Sequence, residues 1–469
     1  MRTRLPIPYI SSDLEDVSAK ELERLLIHAL RAEESWLLPR GPATILKQAD
    51  ATQDITLLAL TFVLDRYLLT VKSSGLIIMW DLFEDHTKPS LSLYASHQLG
   101  ESGWLSCVSS LNASKSTLFL ALNHDEIQTA CILSVPLHQP KLAQAGVRAS
   151  FKLLSQLHLP SPKIIRAINP QSKLALLTRA TLIDVIDWTN NKCFSVSTPS
   201  EDLEDLWNGI TALRFCGPYI LCFRTRSVDL YPLPNPNKEL DQTHALPVLT
   251  HHFANVTFRR VSLSSIQPVD NLDIPSATYK LSFLAYDLFA GLFHYALTVT
   301  IAPIPAISLS LIAMHPMALA LSHPPFDSVE VATPASFGMP ERAGAFATAW
   351  ALGPEGRRGV WIERTRSSTD RTIVAFHSAK SEIGAQTDIP AGDDANEHDN
   401  GHVQENIPNI DGRAIMGVHS YDLRGAPSED ITTCALSEAR GIIAFGTRSG
   451  AIKIIYPGRT PNAWNRFGQ

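Results

Sequence analysis

From about residue 43 onward the polar and apolar positions follow one rhythm. Runs of four to seven apolar or β-branched residues alternate with short clusters of Gly, Ser, Thr, Asn, Asp and Pro. Side chains of the first kind fit a pleated, half-buried surface, so the runs predict strands joined by tight turns. Residues 69–82, LTVKSSGLIIMWDL, form one pair of runs split by Ser73-Ser74-Gly75. Residues 442–457, IIAFGTRSGAIKIIYP, repeat that pair, with Ser449-Gly450 aligning on Ser74-Gly75 without a gap. Looser copies stand at 174–187 (LALLTRATLIDVID) and 220–231 (ILCFRTRSVDLY), and a copy with a longer turn at 359–376. Glycine suits the positive-φ position of a tight hairpin.

The spacing of these copies turns hairpins into a repeat. Thr178-Arg179 and Thr225-Arg226 lie about 47 residues apart, within the range of a four-stranded propeller blade. The other copies fit one unit per roughly 45 to 60 residues, with less regular strand clusters at 116–123 and 280–299 between them. The expected fold is therefore an all-β, WD-repeat-like β-propeller of about seven blades, within a range of six to eight. Trp80-Asp81 is the dipeptide that names the repeat class, and only this copy keeps it. The competing architecture is an irregular pair of β-sandwich domains.

The start of the chain has a different period. Ser18-Ala19-Lys20-Glu21 reads as a capping box, and Leu22, Leu25, Leu26, Ala29 and Leu30 fall on one helical face. The pattern predicts a helix from Ala19 to about Ser35 whose apolar stripe docks on the rest of the chain. Residues 1–40 are expected to be a helical leader and 41–469 the propeller. ATILKQ (43–48) is expected to complete the last blade beside residues 430–457 and lock the ring. The acidic segment 381–409 has few aliphatic residues and is expected to be a disordered loop between blades.

Composition removes several classes of function. A net charge of −6 with 18% charged residues gives no electrostatic footprint for nucleic acid or anionic membrane. Leu288–Phe326 carries no Asp, Glu, Lys or Arg, but its prolines break any spanning helix, so buried strands are expected there. No apolar signal segment opens the chain, and the six cysteines form no C-x-x-C pair. They are expected to be core thiols in a reducing, cytoplasmic or nuclear compartment. A monomer is expected.

No nucleophile elbow, P-loop, metalloprotease or dinucleotide motif occurs, so neither enzymatic activity nor a cofactor nor a metal site is expected. A propeller enzyme with a centre assembled from distant residues is the remaining alternative in that class. The candidate chemistry is a recurrent arginine before the hairpin turn: Arg179, Arg226, Arg366 and Arg448, each preceded by Thr and followed by Ala or Ser. Guanidinium forks at such turns suit phosphate or carboxylate groups. The plain alternative is that they are solvated turn residues.

Three segments carry a family resemblance. The leader LPIPYI…SAKELERLLIHALRAEESW, the first hairpin LLTVKSSGLIIMWDL and the last, EARGIIAFGTRSGAIKII, resemble fungal, basidiomycete-type F-box proteins with a WD-repeat-like propeller. The resemblance implies a substrate receptor of an SCF ubiquitin ligase whose propeller grips a protein partner through a phosphorylated or acidic segment. It also implies an anion-reading role for the turn arginines, and Arg448 in GTRSGAIKI fits that frame best. The sequence departs from the group in beginning almost on the leader, with LPIPYI too short for an F-box. It is therefore expected to bind the ligase adaptor only where an upstream F-box exists. The alternative is a WD-repeat scaffold unrelated to ubiquitination.

Overall fold

A computed structural model of the chain describes residues 18–37, 44–49, 56–82, 91–100, 102–137, 148–196, 208–234, 246–254, 256–269, 277–301, 304–317, 345–365, 371–377, 419–422 and 430–456. Their strands form seven antiparallel sheets, each a path of four strands, with one short extra strand (Gln267–Val269) in the fifth. Blade 1 sets the pattern: Leu57–Val63, Tyr67–Lys72, Leu76–Asp81 and Ser92–Gln98 pair in that order. The first strands of blades 2 to 7 are Trp104–Leu111, Ile164–Asn169, Ile210–Cys216, Phe258–Leu263, Ala345–Leu352 and Ile431–Ser437. Each touches the first strand of the next blade, and that of blade 7 touches that of blade 1, so the chain closes a ring around a central channel.

All five hairpins read from the sequence are the second and third strands of blades 1, 3, 4, 6 and 7. The less regular clusters supply the corresponding strands of blades 2 and 5. Gly75 and Gly450, aligned by sequence, share a φ of 79°. A Cβ on Gly75 would meet the Leu99 carbonyl oxygen at 3.0 Å and the Trp104 indole nitrogen at 2.9 Å. The uncharged stretch forms strands Gly291–Thr300 and Ala306–Pro316 of blade 5. Segment 381–409 lies outside the described residues. Among the described residues no helix is long and apolar enough to cross a membrane.

Second strands are covered on both faces, and Tyr67–Lys72 and Ile442–Thr447 are buried at every position. That explains their unbroken apolar runs. The core is seven separate clusters, one in each seam between neighbouring blades. Every first strand also carries a β-bulge near its start, at Leu58, Leu105, Arg166, Thr211, Arg259, Thr348 and Thr432. A bulge adds twist and re-aims the side chains beside it.

The ring is closed by its own beginning. Thr44–Ala49 pairs antiparallel with Ile452–Tyr456 as the outer strand of blade 7, from Thr44 opposite Tyr456 to Ala49 opposite Ile452. The helix α1 (Ala19–Leu37) also forms, but it docks along one edge of the stripe the sequence suggests, with Ala29 buried and Leu25 half-buried, and not through the outer leucines. Leu22, Leu26 and Leu30 are 37, 47 and 50% exposed, whereas Ala29, Ala32 and Trp36 are buried. The chosen face is decided by Trp36 and Glu33. The Trp36 indole N–H donates to the Phe376 carbonyl at 3.0 Å and joins the seam between blades 6 and 7. Glu33 pairs with Arg358, which is fully buried, and with His377 at 3.0 Å. Two alanines one turn apart let the helix approach closely beside these polar anchors.

A buried carboxyl supports the same corner. Glu438 accepts backbone N–H bonds from Glu355 at 2.6 Å, Arg357 at 2.8 Å and Arg358 at 2.9 Å. Burial outweighs those bonds and pushes it up to about 7. In the next seam, burial beside Phe376 lowers His294 to about 4. The two groups oppose each other between about pH 4.5 and 6.5. There the folded chain holds a proton on Glu438 that the unfolded chain releases, so acidification stabilises; the unfolded chain protonates His294 first, so acidification destabilises. Glu438→Gln removes the opposing contribution and leaves the His294 dependence uncompensated. Its Tm is expected to fall more steeply than the parent's as pH drops from 6.5 to 4.5, and parallel Tm–pH profiles would contradict this assignment.

Candidate functional site

Strand alternation places the turns between second and third strands on one face, beside the segments that enter the first strands. Hydrogen bonds tie the two together: Ser73 N to Thr56 O at 2.8 Å, Thr225 N to Gly209 O at 3.0 Å, and Arg448 N to Asp430 O at 2.9 Å. Beneath this turn face a buried polar residue recurs at one register position, opposite the residue before each bulge. It is Lys72, His124, Arg224, Asp287, Glu363 and Thr447 in six blades, and Leu177 in blade 3. Their bonds hold turn backbone and neighbouring side chains in place. Asp287 accepts from Thr257 N at 2.6 Å and from Phe289 N and Ala290 N at 2.8 Å. Arg224 donates to Asp229 at 2.6 Å, to Asn208 O at 3.0 Å and to the Tyr231 hydroxyl at 3.2 Å. Trp80-Asp81 ends a third strand on the opposite face, where Asp81 takes Arg66 through both carboxylate oxygens, at 3.1 and 2.6 Å. The turns therefore project from a rigid support rather than from mobile loops.

Arg179, Arg226 and Arg448 all lie on the turn face and are exposed. Arg366 lies outside the described residues. The three do not occupy one structural frame. Arg179 and Arg226 each stand two residues past the register position opposite the residue before the bulge; Arg448 stands one residue past it. Nor are they gathered: Arg179 and Arg226 belong to adjacent blades 3 and 4, and Arg448 to blade 7, three blades from either. Arg226 donates its Nε to the Thr257 hydroxyl at 3.2 Å, which lays it across the seam toward blade 5. Among the described residues, none of the three has a carboxylate partner.

The sequence reading missed the arginines of the channel. The seven first strands contain no Asp, Glu or Lys, but hold Arg166, Arg214, Arg259 and Arg260, all in blades 3 to 5. The signal was present in the letters, but it emerges only when the seven innermost strands are set side by side. His251-His252 point to opposite faces of their strand, as side-chain alternation requires. Among the described residues no cluster of His, Cys, Asp or Glu fits a metal ion. The thiols divide differently from expectation: Cys131, Cys216, Cys222 and Cys434 are buried, Cys107 half-buried and Cys193 exposed. Cys193 sits in the strand Lys192–Val196, whose outer side no further strand covers among the described residues.

No protein-family model matches the sequence, and no curated protein matches it. Solved structures do, 727 chains in all. One is the β-propeller domain of Cps50 (Swd1) from Myceliophteria thermophila, at 12% identity and a TM-score of 0.50. The match covers 89% of this chain and 100% of that one. At that identity the likeness bears on fold alone, and it agrees with the sheet order. The chain is a seven-bladed, WD-repeat-like β-propeller, a fold of protein-interaction modules.

Proposed function

We propose that the chain is the recognition propeller of an F-box-type ubiquitin-ligase receptor, or of a relative without the F-box, and that its turn face holds an acidic or phosphorylated segment of a protein partner. The observation that supports this reading most is the separation of two faces. Arg179, Arg226 and Arg448 are exposed on the turn face, while α1 docks at the opposite end of blades 6 and 7, through Phe376 O, Arg358 and His377. A module joined to the leader would thus leave the arginine-bearing face open. The resemblance of the leader and of the first and last hairpins to F-box propellers points the same way.

Two measurements test the proposal. The Arg179→Ala/Arg226→Ala/Arg448→Ala protein should capture at least tenfold less of a phosphopeptide pool, since one lost charge-assisted hydrogen bond is worth about 1.5 kcal/mol or more. Its Tm should not change, because none of the three arginines is buried. Equal capture by parent and variant would reject the turn-face site. Separately, the full-length gene product should co-purify with the ligase adaptor. Partner binding without any adaptor would favour a scaffold with no role in ubiquitination.

A further inference from the structure

The outer edge of blade 5 differs from the other six. Its last strand, Ala306–Pro316, has no further strand on its outer side among the described residues. An edge strand leaves the N–H and C=O groups of every second residue unpaired, a template for another chain, and proteins blunt such edges with charge, bulges or short length. The other outer strands are blunted in this way. Lys192–Val196, Leu249–His252 and His419–Asp422 are short. Lys152–His158 and Thr44–Ala49 each carry a lysine and a bulge, at Leu154 and Leu46, and Ser92–Gln98 has a bulge at Tyr94. None keeps more than four consecutive residues free of Asp, Glu, Lys, Arg and a bulge. Ala306–Leu311 keeps six, up to the bulge at Ile312.

This run, Ala-Ile-Ser-Leu-Ser-Leu, is also close to a mirror of itself. About Leu309, Ser308 mirrors Ser310 and Ile307 mirrors Leu311. Antiparallel pairing of the strand with a second copy, about a two-fold axis at Leu309, sets Leu309 opposite Leu309, Ile307 opposite Leu311 and Ser308 opposite Ser310. Residues directly opposite share a face of the sheet, so apolar meets apolar and hydroxyl meets hydroxyl. A slip of one residue would set leucine against serine. Ile307, Leu309 and Leu311 are half-buried and already pack on the core between blades 4 and 5, whereas Ser308 and Ser310 are exposed on the other side. A second copy thus extends an existing core. Ile304, two residues ahead of the run, is 79% exposed and adds apolar surface to the same rim. From Leu288 to Phe326 there is no Asp, Glu, Lys or Arg, so two copies bring no like charges together here. A foreign strand would require no such symmetry, which is why the occupant is a second copy of this chain.

We propose that Ala306–Leu311 is the contact edge of a homodimer, in which two copies join their fifth blades antiparallel about a two-fold axis at Leu309. This departs from the monomer expected from the sequence. The interface lies on the rim of the ring. Arg179, Arg226 and Arg448 take no part in it, so it stands or falls apart from the turn-face reading.

Sedimentation equilibrium of the full chain, at up to about 100 μM, should show a dimer. Ser308→Lys/Ser310→Lys sets lysine opposite lysine twice beside the axis and should weaken dimerisation about tenfold or more. Ser308→Glu/Ser310→Glu should do the same. Both positions are exposed, so each variant should give the parent's circular dichroism spectrum. An equimolar mixture of the two variants should form a heterodimer, because each lysine then faces a glutamate. Only pairing in the register about Leu309 predicts that recovery. The proposal is overturned if the parent is monomeric at that concentration, which would leave the edge to a segment of the same chain or to another protein. It is overturned equally if the lysine variant dimerises as the parent does, or if the mixture of the two folded variants stays monomeric.

Discussion

Removal of residues 1–50 should abolish the single cooperative unfolding transition of the ring. The deletion takes away Thr44–Ala49, the outer strand of blade 7, and leaves Ile452–Tyr456 as an unpaired edge. That edge, Ile-Lys-Ile-Ile-Tyr, combines high strand propensity with one charge, a template for pairing with other chains. The deletion also takes α1, and with it the Trp36 indole from the seam between blades 6 and 7. Loss of a buried tryptophan alone costs about 3–5 kcal/mol, a large part of the roughly 5–15 kcal/mol that holds a typical domain folded. Size-exclusion chromatography should show aggregates, and calorimetry a broadened transition at lower temperature. A monomeric truncated protein with one sharp transition within about 2 °C of the parent would show that the ring closes without its beginning.

Arg358→Ala should be the most damaging single substitution at the helix corner. Arg358 has no exposed surface, and burial weighs against its charge. It is held there by Glu33, by the Glu438 carbonyl and by the Trp36 ring, 5.5 Å from its guanidinium. Removing it leaves the Glu33 carboxylate facing a buried corner with His377 as its one ion-pair partner among the described residues. Breaking a buried pair from one side costs about 3–5 kcal/mol. The Glu33→Gln/Arg358→Met double variant should recover part of that loss, because no charge is stranded. Arg358, His377 and the bonds they make hold Glu33 well below the usual carboxylate range, at about 2. Its contribution is therefore complete above about pH 4.5 and is lost as pH falls toward 2. Urea titration at pH 7 measures both variants. An Arg358→Ala cost under 1 kcal/mol would mean that the corner does not depend on the pair.

The fold was readable because the propeller repeats its best-covered element. Second strands, closed in on both faces, must be apolar throughout, so the five hairpins stand out and their spacing gives the blade length. The first strands are covered less completely and are interrupted by bulges. Their half-buried positions accept Ser, Thr, Arg or Ala, which blurs them in the sequence. The helix face was misread for a related reason. Leucine spacing advertises a stripe, but the docking is decided by Trp36 and Glu33 finding partners over 300 residues away. The turn arginines share a dipeptide but not a frame, since Arg448 sits one position earlier than Arg179 and Arg226. The first-strand arginines come from strands about 45 residues apart, so nothing local in the sequence groups them.

Everything on both faces is positioned by the closure of the ring, and hydrogen exchange of the Thr44–Ala49 amides reads that closure directly. These amides should exchange as slowly as those of Ile452–Tyr456, opening only with blade 7 as a whole. Exchange of Thr44–Ala49 at the rate of an unstructured peptide, while Ile442–Thr447 stays protected, would contradict the account.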